Sequence, residues 1–294
     1  MGMTFAKPHA ASVEEIQHLI TGFAHAAEYL HRAGYSGIEL HGAHGYLLSQ
    51  FLSPTTNQRT DSYGGSLANR MRIILEIARE IQSRVPSSFI LGIKINSVEF
   101  QEHGFPSSEA ATLCQKLEAA RFDFVELSGG TYENLAFAHK RDSTKKREAF
   151  FLDFAEAITP GLHHTRTYIT GGFKTSGAMV HALKTVDGVG LARPACQEPR
   201  LPEDILSGRV HGAIKQKIDQ DNFGLTNIAA GTQIRQIGKD EEPIDLSDEE
   251  QVAAFQKDMN TWMEKMGADS SGSAYGYVDL STAGQSYGSR AVKI

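Results

Sequence analysis

The sequence predicts an α/β fold built on a parallel sheet, and three observations lead to this prediction. Short apolar runs alternate with amphipathic stretches of helical length from residue 12 to about residue 210. Five of these runs have the length and composition of buried strands. After residue 210 the strand pattern stops. Strands that alternate with helices of about 10–15 residues indicate βαβ units, whose crossovers are right-handed.

The helices and strands follow one another in the order that βαβ units require. The first helix begins at a capping box, formed by Ser12 and Glu15, and ends near Gly34. Later helices are predicted near residues 67–84, 109–120, 148–158 and 176–184. The strands are predicted at residues 37–41, 89–95, 122–127, 168–170 and 186–191.

The last part of the chain has a different pattern. It contains one amphipathic stretch, residues 247–266, followed by a Ser/Gly-rich segment and a polar end. We therefore expect a sheet domain at 1–210 and a C-terminal extension at 211–294, helical and then irregular. A closed (β/α) barrel needs eight strands. By strand count alone, the sheet is either an open doubly wound sheet or an incomplete barrel.

Composition and charge exclude several classes of function. The chain has 294 residues, 40% of them hydrophobic and 22% charged, with a formal net charge of −6. It has no Lys- or Arg-rich block, which argues against nucleic acid or an anionic membrane as a partner. The two cysteines, Cys114 and Cys196, are too few to stabilise a chain of this size by disulfide bonds. No apolar stretch is long enough to span a membrane. We expect a cytoplasmic protein.

The segment at the end of the first predicted strand contains the candidate catalytic residues. His41 and His44 lie three residues apart, and Tyr46 follows them. In parallel α/β folds, functional residues cluster just beyond the carboxyl ends of strands. Two imidazoles there can donate hydrogen bonds to one carbonyl oxygen, and a tyrosine can supply a proton. A structural histidine pair and a zinc site are the alternatives, but no Asp, Glu or Cys stands at a convincing ligand spacing, so no metal is expected.

Two later strand ends have the composition of an anion-binding site. Gly172 and Phe173 follow the fourth strand, and Ala192 and Arg193 end the fifth. Small residues let backbone N–H groups approach a phosphate, and arginine binds it in fork geometry. The last two strands are the usual phosphate location in barrels of this class.

Lys94 lies within an otherwise apolar strand. A cation in such a position is costly unless it meets a partner. Either it faces an electron-rich ligand, or it forms an ion pair inside the fold, for example with Glu126 on the next strand. The sequence leaves both interpretations open.

A longer pattern is specific for one family. The runs at residues 41–54 and 57–70 resemble the signature of the old yellow enzymes, FMN-dependent ene-reductases. The similarity continues through residues 125–130, 170–173 and 188–194, and covers residues 12–210 overall. The resemblance implies a TIM-type (β/α) barrel, with FMN as the cofactor and NADH or NADPH as the electron donor.

The resemblance also implies a role for each candidate residue. His41 and His44 would hold the carbonyl oxygen of an enone or enal substrate, and Tyr46 would protonate its α-carbon. Lys94 would lie beside the pyrimidine edge of the flavin. The phosphate would be bound by the loops at Gly172, Phe173, Ala192 and Arg193.

Two departures from the family pattern shape the expectation. Ala192 stands where the family usually has glycine, and family members carry three further strands before the one that ends at His41. We therefore expect an incomplete barrel of about five of eight strands. A partner subunit, self-association or a longer natural transcript that this chain truncates would complete it. The alternative is a flavin-poor remnant without catalytic activity of its own.

Overall fold

The computed structural model describes residues 7–99, 104–130, 151–282 and 284–289. These residues form two compact units. The sheet unit comprises the described residues within 2–173 and 178–190, and the C-terminal unit those within 174–177 and 191–294. The domain boundary at residue 210 stays a prediction.

The sheet unit is built on parallel strands that pair in consecutive order. In the described residues these are β1 (Gly37–Gly42), β2 (Ile90–Val98), β3 (Phe124–Gly129), β4 (Arg166–Thr170) and β5 (Gly188–Gly190). Five predicted strands and their parallel pairing are thus confirmed. A doubly wound sheet reverses its strand order at a switch point, whereas consecutive order is that of a barrel wall.

The helices along the sheet unit include the predicted ones and a further short helix, over residues 47–52, that was not predicted. They are α1 (Val13–Arg32), α2 (Leu47–Leu52), α3 (Leu67–Arg70), α4 (Arg72–Arg84), α5 (Ser107–Ala119), α6 (Leu152–Ile158) and α7 (Ser176–Ala182). The capping box at Ser12 and Glu15 is present. The helix predicted over residues 67–84 is broken at Met71, which ends α3 and precedes α4. The start of the helix predicted at residue 148 lies outside the described residues.

The two faces of the sheet differ because side chains alternate along each strand. One face is apolar and buried, and helices pack against it; its residues include Leu40, Ile93, Ile95, Val125, Leu127 and Ile169. The opposite face, here called the open face, carries Glu39, His41, Lys94, Glu126 and Thr170 at the alternate positions.

Glycines on the open face make room for large side chains of the neighbouring strand. A Cβ atom on Gly92 would lie 2.0 Å from the ring of Phe124, and one on Gly188 would lie 2.5 Å from the ring of Tyr168. Those two rings pack edge to face, with centroids 5.5 Å apart. Alternation of small and large residues is typical of the inside of a small barrel.

The C-terminal unit is helical and has its own apolar core. Its helices are α8 (Arg193–Gln197), α9 (Leu201–Leu206), α10 (Phe223–Ile237) and α11 (Glu249–Ala268). The helix predicted at 247–266 is confirmed as α11, whose Phe255 lies in a core with Ala229 of α10 and with Leu246. Helix α10 was not predicted, because its buried side carries Thr226, Thr232, Gln233 and Gln236 in place of an apolar stripe.

Membrane insertion by a helix finds no support in the described residues. None of the helices there combines the length and the apolar composition that a membrane span requires.

Alanine at Gly37 should destabilise the sheet. Its Cβ atom would lie 2.4 Å from the carbonyl oxygen of Ile90, a backbone atom that cannot move without disturbing the β1–β2 pairing. We expect a loss of about 1–3 kcal/mol in the free energy of unfolding. The matched control is Gly22→Ala in α1, where an added Cβ atom would meet nothing within 4 Å beyond the adjacent backbone of its own helix, and alanine should stabilise the helix by up to about 1 kcal/mol. Urea denaturation measures both, and equal effects would contradict the steric argument.

Candidate active site

The turn that follows β1 gathers the predicted catalytic residues. The ring centroids of His41 and His44 lie 5.2 Å apart, and those of His41 and Tyr46 also lie 5.2 Å apart. Tyr46 is 55% exposed. The predicted trio therefore forms a single cluster at the carboxyl end of β1, with its rings accessible to a small molecule.

His44 adopts a backbone conformation that is unusual for a residue with a side chain. Its φ is +62°, and that of Gly45 is +79°. The His44 backbone N–H donates to Asn96 Oδ1 at 3.1 Å, and its ring Nε2 lies 2.9 Å from Ser128 Oγ. Left-handed residues cost energy and persist where the surroundings hold them in place, often at functional sites.

Asn96 and Ser128 were not predicted as site residues. Each lies at the carboxyl end of its strand, and the two are register partners in the β2–β3 pairing. Asn96 and Ser128 are buried. The signal that would have found them is position alone, because polar residues at the ends of adjacent parallel strands meet at one edge of the sheet.

Both imidazoles in the cluster favour the neutral form. Burial, followed by the charges of His41 and Lys94, lowers the pKa of His44 to about 4. Burial and then Lys94 also lower the pKa of His41 below its usual value. A neutral imidazole has one N–H donor and one acceptor nitrogen. The pair can therefore donate hydrogen bonds to an oxygen without carrying formal charge.

Lys94 forms the ion pair that the sequence offered as one interpretation. Its Nζ contacts Glu126 Oε1, and both side chains are mostly buried. Burial opposes ionisation of Glu126, but hydrogen bonds from Lys94 and then Thr170 hold the pKa of its carboxyl below the usual value. The pair lies on the open face, so the structure places the cation on the same side of the sheet as His41.

Glu99 lies directly after β2 and accepts several hydrogen bonds. Its carboxylate is buried and accepts hydrogen bonds from Ser53 Oγ at 2.6 Å and from the Phe105 N–H at 2.8 Å. Asn96 Nδ2 also donates to it, at 3.3 Å. Asn96 in turn accepts the hydrogen bond from the His44 backbone, so Glu99 stabilises the turn at His44 indirectly, by fixing the side chain of Asn96.

The predicted phosphate-binding residues lie at the ends of β4 and β5. In the sheet unit, Gly172 has a φ of +74° and Phe173 is buried. In the C-terminal unit, Ala192 is exposed and immediately precedes α8. Arg193 begins α8 and donates to Thr226 Oγ1 at 3.1 Å, and burial lowers the pKa of its guanidinium. Their roles stay predictions.

A metal centre is not supported by the part of the chain that the structure describes. No group of three or more His, Cys, Asp and Glu residues there is arranged to hold a metal ion. His41 and His44 instead have Tyr46 and Ser128 as their neighbours.

The chain is similar in sequence to known proteins over most of its length. The model of the NADH:flavin oxidoreductase / NADH oxidase family matches residues 2–211. The NADH-dependent flavin oxidoreductase nadA of Aspergillus parasiticus is 54% identical over 277 residues, which are 94% of this chain and 62% of that protein. The NADH-dependent flavin oxidoreductase iccE of Talaromyces variabilis is 41% identical, over 69% of this chain and 51% of that protein. The chain thus spans between half and two thirds of the length of these relatives.

Solved structures agree with the fold. A complex of 2-naphthoyl-CoA reductase matches 68% of this chain and 30% of its own chain, with a TM-score of 0.64 and 28% identity. Morphinone reductase in complex with tetrahydroNAD matches 71% of this chain and 54% of its own, with a TM-score of 0.56 and 24% identity. The second likeness concerns the fold alone. With the consecutive parallel strands of the described residues, these likenesses confirm the predicted (β/α) barrel family, and the partial coverage fits the predicted incompleteness.

The low pKa of His44 makes the stability of the sheet unit depend on pH. As the pH falls below about 6.5, an unfolded histidine takes up a proton, whereas the folded His44 does so only near pH 4. Stability should therefore fall between these two values. Histidine-ring NMR should show the His44 transition near pH 4. His44→Asn, which tolerates a positive φ, should flatten this part of the stability profile. A His44 midpoint near 6.5 would contradict the argument.

Proposed function

Because the chain belongs to the NADH:flavin oxidoreductase / NADH oxidase family, whose model matches residues 2–211, we propose that it acts as an FMN-dependent ene-reductase. NADH or NADPH is the electron donor, and the C=C bond of an α,β-unsaturated carbonyl compound is the acceptor. The match confirms the resemblance predicted from the signature at residues 41–70. The family and the names of the relatives support FMN and NAD(P)H as cofactors.

The observation that carries this proposal is the cluster of His41, His44 and Tyr46. Two neutral imidazoles donate to the carbonyl oxygen of the substrate and stabilise the negative charge that develops there. This polarisation makes the β-carbon electrophilic. Tyr46, on the same turn, donates its phenolic proton to the α-carbon.

The donor groups in the chain fit the chemistry of FMN. The electron-rich pyrimidine edge of the flavin needs a cation, which Lys94 provides on the open face. A phosphate needs backbone N–H groups and a guanidinium. We assign the guanidinium to Arg193. The backbone N–H groups are assigned to the loops at Gly172, Phe173 and Ala192. Bound FMN supplies the hydride chemistry, while the protein supplies orientation and charge.

One observation favours a second possibility, in which this chain alone retains no flavin. In the described part of the chain, β1 pairs only with β2 and β5 only with β4, so each has one edge without a strand. Unpaired edges invite pairing with another chain. In this alternative the site works only when a partner subunit or a second copy completes the wall.

Flavin binding separates the two possibilities. After reconstitution of the full chain with FMN, a visible flavin band that bleaches anaerobically with NADH would support the first. Lys94→Met should weaken FMN binding about tenfold, equivalent to about 1.4 kcal/mol, and Lys94→Arg should restore it. Lys116→Met removes an exposed lysine from α5 and should change nothing. A protein that retains no flavin would contradict the proposal for the isolated chain.

Tyr46→Phe tests the proton donor. Stopped-flow measurement follows each half-reaction separately, with NADH as reductant and 2-cyclohexenone as oxidant. The variant should slow the oxidative half-reaction by about 100-fold or more and leave flavin reduction unchanged, because only the substrate needs the proton. Tyr29→Phe, on the exposed side of α1, is the matched control. An equal fall in both half-reactions would refute the assigned role.

A further inference from the structure

The His44 imidazole is in contact with a buried hydroxyl on another strand. Its ring Nε2 lies 2.9 Å from Ser128 Oγ, which is an ordinary hydrogen-bond distance. Ser128 is only 5% exposed and lies near the carboxyl end of β3, whereas His44 follows β1, two strands away in the sheet. The fold therefore brings this hydroxyl to a candidate substrate-binding imidazole from a distant part of the sequence.

His44 is held by two neighbouring strands at once. Asn96 of β2 accepts a hydrogen bond from the His44 backbone N–H at 3.1 Å, and Ser128 of β3 contacts the ring. The amide of Asn96 is itself oriented, because its Nδ2 donates to the buried Glu99 carboxylate at 3.3 Å. Backbone and ring are thus both restrained, and a ring flip that exchanged the two nitrogens would break the contact with Ser128.

The position of the ring proton decides what the imidazole can do. Burial, followed by the charges of His41 and Lys94, lowers the pKa of His44 to about 4, so the ring is neutral at neutral pH. A neutral imidazole has one donor nitrogen and one acceptor nitrogen, and the hydrogen bond that one nitrogen makes decides which of them carries the proton. Of the two tautomers, only one has a donor at Nδ1.

The Ser128 hydroxyl favours one of these tautomers. It has a single hydrogen, and among the described residues the hydroxyl has no hydrogen-bond partner other than His44 Nε2. A protonated Nε2 would donate to Ser128 Oγ and leave the buried hydroxyl hydrogen without an acceptor, which is costly. An unprotonated Nε2 accepts that hydrogen. The second arrangement satisfies the hydroxyl and puts the ring proton on Nδ1.

The Nδ1 atom is the ring nitrogen that remains for a ligand. In the part of the chain that the structure describes, no protein atom forms a hydrogen bond with His44 Nδ1. The ring belongs to the cluster with His41, at 5.2 Å between centroids, to which the carbonyl oxygen of the substrate is assigned. In the opposite tautomer Nδ1 would be an acceptor with no hydrogen to offer that oxygen.

We propose that Ser128 is a positioning residue whose hydroxyl donates to His44 Nε2 and thereby keeps the ring proton on Nδ1, the nitrogen that binds the carbonyl oxygen of the substrate. The inference rests on the proposed function, in which His44 holds that oxygen. It names the atom of His44 that donates and the side chain that selects it. Ser128 acts through the imidazole and not on the substrate directly.

The first experiment identifies the tautomer without flavin. Long-range ¹H–¹⁵N NMR of the full flavin-free chain at neutral pH distinguishes protonated from unprotonated ring nitrogens, and His44→Asn identifies the His44 signals by removing them. We expect a protonated Nδ1 and an unprotonated Nε2 in the natural chain. Ser128→Ala should populate the Nε2–H form, and Ser128→Thr, which keeps a hydroxyl, should restore the natural state.

Ser97→Ala is the matched control for this experiment. It removes a neighbouring buried hydroxyl that donates to the backbone carbonyl of Ser128 and not to the imidazole, so the tautomer should stay as in the natural chain. A protonated Nε2 in the natural chain overturns the inference, because Ser128 would then be the acceptor. The same tautomer in the natural chain and in Ser128→Ala also overturns it, since the serine would then not select the position of the proton.

The second experiment measures the consequence in the full chain reconstituted with FMN. Stopped-flow measurement follows oxidation of the reduced flavin by 2-cyclohexenone. Its second-order rate constant should fall about threefold to tenfold in Ser128→Ala, as expected for the loss of one hydrogen bond to the carbonyl oxygen. Ser128→Thr should recover most of this loss, and Ser97→Ala should match the natural chain.

The outcomes separate this inference from the proposed function. Equal rate constants for the natural chain and Ser128→Ala, with FMN bound and 2-cyclohexenone reduced by both, overturn the inference and leave the proposed function standing. A chain that retains no FMN overturns the proposed function for the isolated chain. The NMR measurement then still decides whether Ser128 sets the tautomer of His44.

Discussion

Parallel pairing of consecutive strands is the constraint on which the site depends. Because β1, β2 and β3 run in the same direction, their carboxyl ends meet at one edge of the sheet. His44, Asn96 and Ser128 are far apart in sequence, yet they form one hydrogen-bonded group there. That group stabilises a left-handed residue that an isolated turn would avoid. The geometry of the imidazoles is therefore a property of the sheet and not of the turn alone.

Because side chains alternate along each strand, one face of the sheet is apolar and the other carries charged side chains. Apolar side chains bury one face against helices, while the open face carries the Lys94–Glu126 ion pair and large side chains next to glycines. A shift of one residue in register would exchange the faces and place these charges against apolar helices. The hydrophobic pattern that folds the unit thus also fixes which side of the sheet presents the cation.

The sequence predicted the elements whose periodicity is regular and missed those defined by contacts. Alternating apolar runs located the five strands and most of the helices. Helix α10 was not predicted because Gln233 and other polar residues occupy its buried side. The break at Met71 was not predicted because no glycine or proline marks it. The signature located His41 and His44, but the supports of the turn, Asn96 and Ser128, are visible only once β2 and β3 are aligned.

The electrostatics of the open face link fold and chemistry most closely. Burial first, and the charge of Lys94 in addition, lower the pKa of His41 and of His44, and the hydrogen bond from Lys94 helps to keep the pKa of Glu126 below its usual value. Burial, followed by the neighbouring Glu126, raises the pKa of Glu39. Burial and this cation together keep the imidazoles neutral, as hydrogen-bond donors to a carbonyl require, while burial and the counter-ion of Lys94 together favour the protonated form of Glu39. Lys94 therefore contributes to the pKa values of both imidazoles and of both glutamates, whereas Glu39 is not among the charges that shift the pKa values of the imidazoles.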